Sequence, residues 1–387
     1  MSSLPDTLRR RVDDGTVPGA VGLVARGDDV EVVAVGSVDV EGTTPMARDS
    51  IFRIASVTKP VTAAAVLALV EDGRLALNTP VEEWLPELAK PTVVRTPSSP
   101  VEDVVPANRP VTVEDLLSFR AGWGLPSDFS LPAARALFAV QDHSRSFQDW
   151  PEPDTWLGLL AQVPMLHQPG EAWLYGTSSA LQGILVARVS GRTFPGFLAE
   201  RIFEPLGMLD TAFEVPAPKR HRFTSSYAPA ADGTLHLTDT PDGAYSSLPR
   251  FPSGGGGLVS TADDLLAFLQ MLANAGTAPD GTPVLSPTSV SRMTTNHLTV
   301  AQRDASTLFL EGQGWGYGGQ VDVTPADPWN VPGRYGWVGG TGTTAHIVPP
   351  TGTVTVLLTQ TAMTGPTPTP LMREFWECTA QGQCPAR

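Results

Sequence analysis

The sequence predicts an α+β fold in which an antiparallel sheet, drawn from both chain termini and flanked by helices, is interrupted by a mainly helical insertion. Three observations predict it. β-rich runs occur near the N-terminus and again near the C-terminus, helical patterning and loops fill the middle, and 387 residues exceed what one hydrophobic core usually serves. The expected division assigns residues 1–75 and 255–387 to the sheet-bearing part and 76–254 to the insertion, with a cleft between them.

Ala20 to Ala25 and Val30 to Val35 are β-rich runs around the polar turn Arg26-Gly27-Asp28-Asp29, the pattern of a hairpin. From Val57 to Asp72, Ala, Leu and Val run in helical company up to Gly73, which suits a left-handed C-cap. This helix is apolar nearly all round and is expected at the centre of the molecule. Its apolar run, Val61 to Val70, is too short to span a bilayer. The stretch from Pro91 to Pro110 lacks periodicity and reads as a long surface connection. Thr112 opens a capping pattern ahead of Leu116-Leu117. Further helices are expected from Ser178 to Val189, ended by Gly191, and from Thr261 to Ala273, with Ser260 as N-cap. Thr344 to Val348 and Thr353 to Thr359 flank Pro349-Pro350-Thr351-Gly352, a second hairpin.

Composition narrows the function classes. With 41% hydrophobic and 17% charged residues the chain is globular rather than disordered. A formal net charge of −14, with no Lys/Arg cluster to offset it, repels phosphate backbones and anionic lipid, so neither nucleic acid nor membrane is an expected partner. The N-terminus carries Arg9, Arg10 and Arg11 and then Val12-Asp13-Asp14, without the apolar stretch of a secretory signal, which predicts a cytoplasmic protein. Cys378 and Cys384 lie in a Gln/Gly/Pro-containing tail, where a small disulfide is open to them but a disulfide framework or Cys-based zinc site is not. The histidines show neither HExxH nor HxH spacing, so no catalytic metal is expected, and no cofactor.

Chemistry concentrates at Ser56-Val57-Thr58-Lys59, where the buried helix begins, with Pro60 tolerated because it lies in the first turn. A spacing of three puts Ser56 and Lys59 on one helical face. A serine hydroxyl is a poor nucleophile near neutral pH and needs a neighbour that takes its proton or stabilises its alkoxide. The helix N-terminus adds positive potential and N–H donors at the same point.

The segment Phe52-Arg53-Ile54-Ala55-Ser56-Val57-Thr58-Lys59 resembles the nucleophile segment of class C β-lactamases, D,D-peptidases and family VIII esterases. Three further segments fit that superfamily in the same order. Pro110 to Leu117 with Ala121-Gly122-Trp123-Gly124-Leu125 resembles the helix and glycine loop that edge its cleft. Trp173-Leu174-Tyr175-Gly176-Thr177 resembles its Y-x-N motif, and Gly255 to Asp264 a segment expected to be structural. The resemblance implies a β-lactamase/transpeptidase-like fold and a covalent acyl-serine. It makes Ser56 the nucleophile, Lys59 and Tyr175 the groups that manage its proton, and the amides of Ser56 and Gly340 the oxyanion hole. Which of Lys59 and Tyr175 is the base stays open at this stage, because a phenol that titrates near ~10 serves only if its neighbours help.

Departures from the pattern shape the expected substrate. Where the lactamases carry K-T-G, this chain has Trp337-Val338-Gly339, followed by Gly340. That lysine helps hold a substrate carboxylate, so its loss favours neutral or aromatic esters, and W-x-G is common among esterases of the superfamily. Thr177 stands where the Asn of Y-x-N would be and has only a hydroxyl to offer. Trp123, Thr177, Trp337, Val338 and Gly339 are the expected substrate-contacting residues. The expected activity is therefore that of a carboxylesterase on a small-molecule ester or amide. The alternatives are a β-lactamase, peptidase, amidase or acyltransferase of the same fold, or a catalytically silent binding member. Gly176 to Ala180 only approximates G-x-S-x-G, and no G-K-[ST] follows Gly254 to Gly257.

Overall fold

The computed structural model describes residues 3–42, 44–141 and 149–380. Seven strands form one antiparallel sheet: β1 (Gly19–Arg26), β2 (Asp29–Gly36), β3 (Gly314–Trp315), β4 (Gln320–Val321), β5 (Tyr335–Gly339), β6 (Thr343–Val348) and β7 (Thr353–Thr359). Their order across the sheet is β2-β1-β7-β6-β5-β4-β3, so the two ends of the chain meet where β1 pairs with β7, Ala20 opposite Thr359. Both predicted hairpins are present, and the intervening chain is mainly helix and loop.

β1 is buried along seven consecutive residues, which requires cover on both faces. The N-terminal helix Leu4–Asp13 and the C-terminal helix Pro370–Ala380 lie together on one face, where Leu4, Leu8 and Phe375 crowd the Cα of Gly22. Helix Ala262–Ala273 also packs on β1, β6 and β7. Leu4 and Leu8 are fully buried, each contributing roughly 1.5–3 kcal/mol.

Sequence reading missed both terminal helices. The N-terminal one has a Ser3/Asp6 capping box hidden among charged residues, and Arg10 and Arg11 pair with Glu374 of its C-terminal partner. Cys378 sits on that C-terminal helix rather than in an irregular tail, while Cys384 and any pairing with it lie outside the described residues. Two local expectations are corrected. The connection from Pro91 to Pro110 contains a short hairpin, Thr92–Val94 with Val104–Pro106. The N-cap of helix Ala262–Ala273 is Thr261, whose hydroxyl accepts from the Asp264 amide, because Ser260 is already paired with Phe52.

The central helix Thr58–Glu71 is buried from Thr58 to Leu69, and Gly73 closes it at φ +68°. It packs against helix Thr177–Ser190. No helix among the described residues is long and apolar enough to cross a membrane.

Candidate active site

Ser56 lies in a short 3₁₀ turn, Ala55–Val57, that leads directly into the central helix. Ala55, just before it, has φ +43°, a left-handed conformation that costs a non-glycine residue roughly 1–3 kcal/mol and persists only where the surroundings enforce it. They do so here. Phe52–Arg53 pairs with Val259–Ser260, and the Ile54 amide donates to the Leu258 carbonyl at 3.1 Å. Ser56 is half-buried, so its side chain is held yet accessible.

Two groups converge on the Ser56 hydroxyl. Lys59 Nζ donates to Oγ at 2.7 Å, and the Tyr175 phenol, 119 residues along the chain, donates to it at 2.9 Å. Tyr175 is carried by a two-bond bridge to Leu125, with N···O distances of 2.9 and 3.0 Å, and Gly176 at φ +96° then turns the chain into helix Thr177–Ser190. The Trp337 indole N–H donates to the Tyr175 oxygen at 2.9 Å, which aims the phenol's own proton at Ser56.

Burial sets the charge states. Lys59 is buried at 3% exposure and its pKa is lowered to about 7 by desolvation. Desolvation pushes Tyr175 upward, opposed by its hydrogen bonds with Ser56 and Trp337. Near neutral pH the amine is therefore available as a proton acceptor, whereas the phenol keeps its proton. A second contact orients the amine, since Lys59 Nζ also donates to the Gly255 carbonyl. That carbonyl comes close because the preceding backbone has no side chain to obstruct it. A Cβ on Gly254 would strike the Ser179 carbonyl and Thr62, whose hydroxyl donates to the Gly254 carbonyl at 2.9 Å.

Comparison with known proteins shows the family. The sequence profile of the beta-lactamase family matches residues 4–371. The chain belongs to the beta-lactamase family. This family member is 37% identical over 349 residues to Protein Rv1367c of Mycobacterium tuberculosis, covering 87% of this chain and 84% of that one. It is 31% identical over 377 residues to Esterase EstB of Burkholderia gladioli, covering 90% and 87%. Among solved structures, EstCE1, a hydrolase with promiscuous acyltransferase activity, superposes with a TM-score of 0.78 at 24% identity, covering 97% and 96%, which shows a shared fold.

The other expected site residues of this beta-lactamase family member divide into two groups. Trp337, Val338 and Gly339 lie on β5 beside the Ser56 turn, and Gly339 is needed there because a Cβ would meet the Ile54 carbonyl and the Thr343 hydroxyl. Gly340 is exposed at the turn after β5. Trp123 and Thr177, the other two expected substrate contacts, are buried, with their side-chain polar atoms bonded within the protein. Trp123 is 2% exposed with its indole N–H on the Val163 carbonyl at 2.8 Å, and Thr177 is 1% exposed with its hydroxyl on Gln141 Oε1 at 3.0 Å. Neither presents an unpartnered donor to a ligand.

Sequence reasoning missed the Gly255 carbonyl, although the run from Gly254 to Gly257 was a signal that backbone must approach something closely. It also missed an aromatic row that runs from Tyr175. Phe309 stacks on the phenol ring at 4.7 Å, Phe129 lies 6.1 Å from Phe309, and Phe138 lies 5.6 Å from Phe129. Nothing in the spacing of these residues signals the row.

Proposed function

We propose that the protein is a serine hydrolase that cleaves carboxylic esters through an acyl-Ser56 intermediate. The reaction takes place in a cleft between the sheet-bearing part, residues 1–75 and 255–387, and the mainly helical insertion, residues 76–254. The observation that carries this reading is the meeting of Lys59 Nζ and the Tyr175 hydroxyl on Ser56 Oγ at 2.7 and 2.9 Å. The 31% identical Burkholderia gladioli relative, named an esterase, supports it.

Lys59, as the neutral amine, takes the Ser56 proton while Oγ bonds to the ester carbonyl carbon, and the carbonyl electron pair moves onto oxygen. The amides of Ser56 and Gly340 stabilise that oxyanion. When the tetrahedral intermediate collapses, the carbon–oxygen bond to the alcohol breaks and the departing alkoxide takes a proton from the Tyr175 hydroxyl, which the Lys59 ammonium restores. Water then repeats the sequence on the acyl-serine and releases the acid. Lys59 is assigned as base because burial lowers its pKa to about 7 but moves Tyr175 the opposite way.

Substrate preference follows from Trp337 at the position of the family's lysine. Its indole N–H is used on Tyr175 and supplies no charge for a substrate carboxylate. The exposed edge of the aromatic row, Phe129 at 37% exposure, supports an apolar or aromatic substituent on the ester. A charge-assisted hydrogen bond contributes about 1.5–3 kcal/mol, so kcat/KM for p-nitrophenyl butyrate is expected to exceed that for nitrocefin by about a hundredfold. Steady-state assays of the two substrates decide it; a preference for nitrocefin would refute the esterase reading.

A further inference from the structure

We propose that Thr341 and Thr343 are positioning residues that set the gap between the Ser56 and Gly340 amides, the two halves of the oxyanion hole. This inference rests on the acyl-serine reading above. The two amides belong to segments far apart in sequence, the nucleophile turn and the turn after β5. A hole works only if both donors sit about 2.7–3.1 Å from one oxygen, so the spacing of the two segments matters to a few tenths of an ångström.

Two hydroxyls bridge those segments. Thr341 Oγ donates to the Arg53 carbonyl at 2.5 Å, and Thr343 Oγ donates to the Ile54 carbonyl at 3.1 Å. They grip consecutive carbonyls immediately ahead of the left-handed Ala55 and of Ser56 itself. Gly339, with no Cβ, lets β5 close onto the same Ile54 carbonyl. The clamp is therefore two hydrogen bonds over one steric allowance.

Both ends of the clamp are anchored independently. On the nucleophile side, Arg53 is buried, its guanidinium bonded to Asp239 at 2.5 Å, the Thr224 carbonyl at 2.6 Å and the Thr240 carbonyl at 3.1 Å. On the other side, the Gly342 amide donates to the Gly339 carbonyl at 3.0 Å and the Met363 amide to the Gly340 carbonyl at 2.8 Å. The peptide between Gly339 and Gly340 is trans, so fixing the Gly339 carbonyl inside the turn sends the Gly340 N–H out of its opposite side. The threonine hydroxyls supply what these anchors lack, a direct tie across the gap. They touch no substrate and act through the two amides.

The test compares Thr341→Val, which removes the hydroxyl at nearly constant shape, with Thr341→Ser, which keeps it, using p-nitrophenyl butyrate turnover and inhibition by phenylboronic acid. Loss of a whole oxyanion donor lowers kcat by about 10²–10³, so misplacing one is expected to lower it about tenfold in Thr341→Val, with KM within about twofold. The boronic acid, which forms a tetrahedral adduct on serine, should weaken by the same factor, and Thr341→Ser should restore both to within about threefold of wild type. Thr341→Ala should match Thr341→Val and serves if the valine variant misfolds, with melting by circular dichroism followed for all three.

Unchanged kcat and boronic acid inhibition in folded Thr341→Val or Thr341→Ala would overturn the inference, as would a serine variant that loses as much as valine. A lowered melting temperature with unaltered kcat and inhibition would overturn it too, since that is what a merely structural tie gives. If the wild-type protein neither hydrolyses the ester nor takes up a fluorophosphonate on Ser56, the acyl-serine reading itself falls and the clamp with it. Wild-type turnover beside an indifferent Thr341→Val sinks only the clamp.

Discussion

Ser56→Ala is expected to lower kcat for p-nitrophenyl butyrate by at least about a thousandfold while the protein keeps its fold. No other hydroxyl among the described residues combines the same features: a position at the head of a buried helix, partial exposure, an amine at 2.7 Å and a phenol at 2.9 Å. Removing Oγ leaves the Ser56 and Gly340 amides in place, so residual catalysis from oxyanion binding alone is expected, at a level at least three orders of magnitude lower. The fold should survive because the hydroxyl's partners have other anchors: Lys59 keeps the Gly255 carbonyl and Tyr175 keeps the Trp337 indole. Melting followed by circular dichroism separates loss of chemistry from loss of structure. Undiminished turnover in a folded Ser56→Ala protein would mean that the nucleophile lies elsewhere.

Lys59→Ala is expected to be comparably severe, and its effect should be readable in the pH dependence. Desolvation lowers the Lys59 pKa to about 7, and only the unprotonated amine can accept the serine proton. The sign follows directly. Wild-type kcat/KM should rise with pH, with unit slope on the acid side, bend near 7 and level above it, because activity is lost as the amine protonates. In Lys59→Ala that limb should disappear from what activity remains. Tyr175→Phe should also be severe, through loss of the proton delivered to the leaving alcohol. The Lys59→Ala/Tyr175→Phe double variant should be little worse than either single one, since groups that act as a unit are far from additive. A wild-type profile flat from pH 5 to 9 would argue against Lys59 as base.

The legible parts of this molecule are those encoded by local spacing. Ser56 and Lys59 three apart, at the start of an apolar run closed by Gly73, give the central helix and their mutual contact from helical geometry, whereas the role expected of Ser56 comes from the resemblance of the surrounding segment. The hairpins on either side of Gly27 and Pro349-Pro350 are legible for the same reason, because their alternation and turn residues are adjacent in the chain. Tyr175 is different. Its contact with Ser56 spans 119 residues, and only the order of motifs along the chain brings it into the reading.

Illegible features depend on tertiary packing. The Gly255 carbonyl holds Lys59 only because the glycine loop lies against Thr62 and Ser179, and Phe309 reaches Tyr175 from a short helix with no distinguishing pattern. The surroundings of Thr177 are a further case: helix Thr177–Ser190 begins there and sets its hydroxyl against Gln141, a partner that the motif beside Tyr175 does not signal. The C-terminal helix is hard to read in the sequence because its buried face, with Leu371, Met372, Phe375 and Trp376, runs directly into a Gln/Gly/Pro-containing stretch.

The most direct test is to mix wild-type protein with p-nitrophenyl butyrate, quench in acid within the first turnovers, digest and locate any adduct by mass spectrometry. Covalent catalysis by this site predicts a single butyryl group on the peptide that carries Ser56, absent from Ser56→Ala. Active enzyme that yields no acylated peptide, or one acylated at another residue, would contradict it.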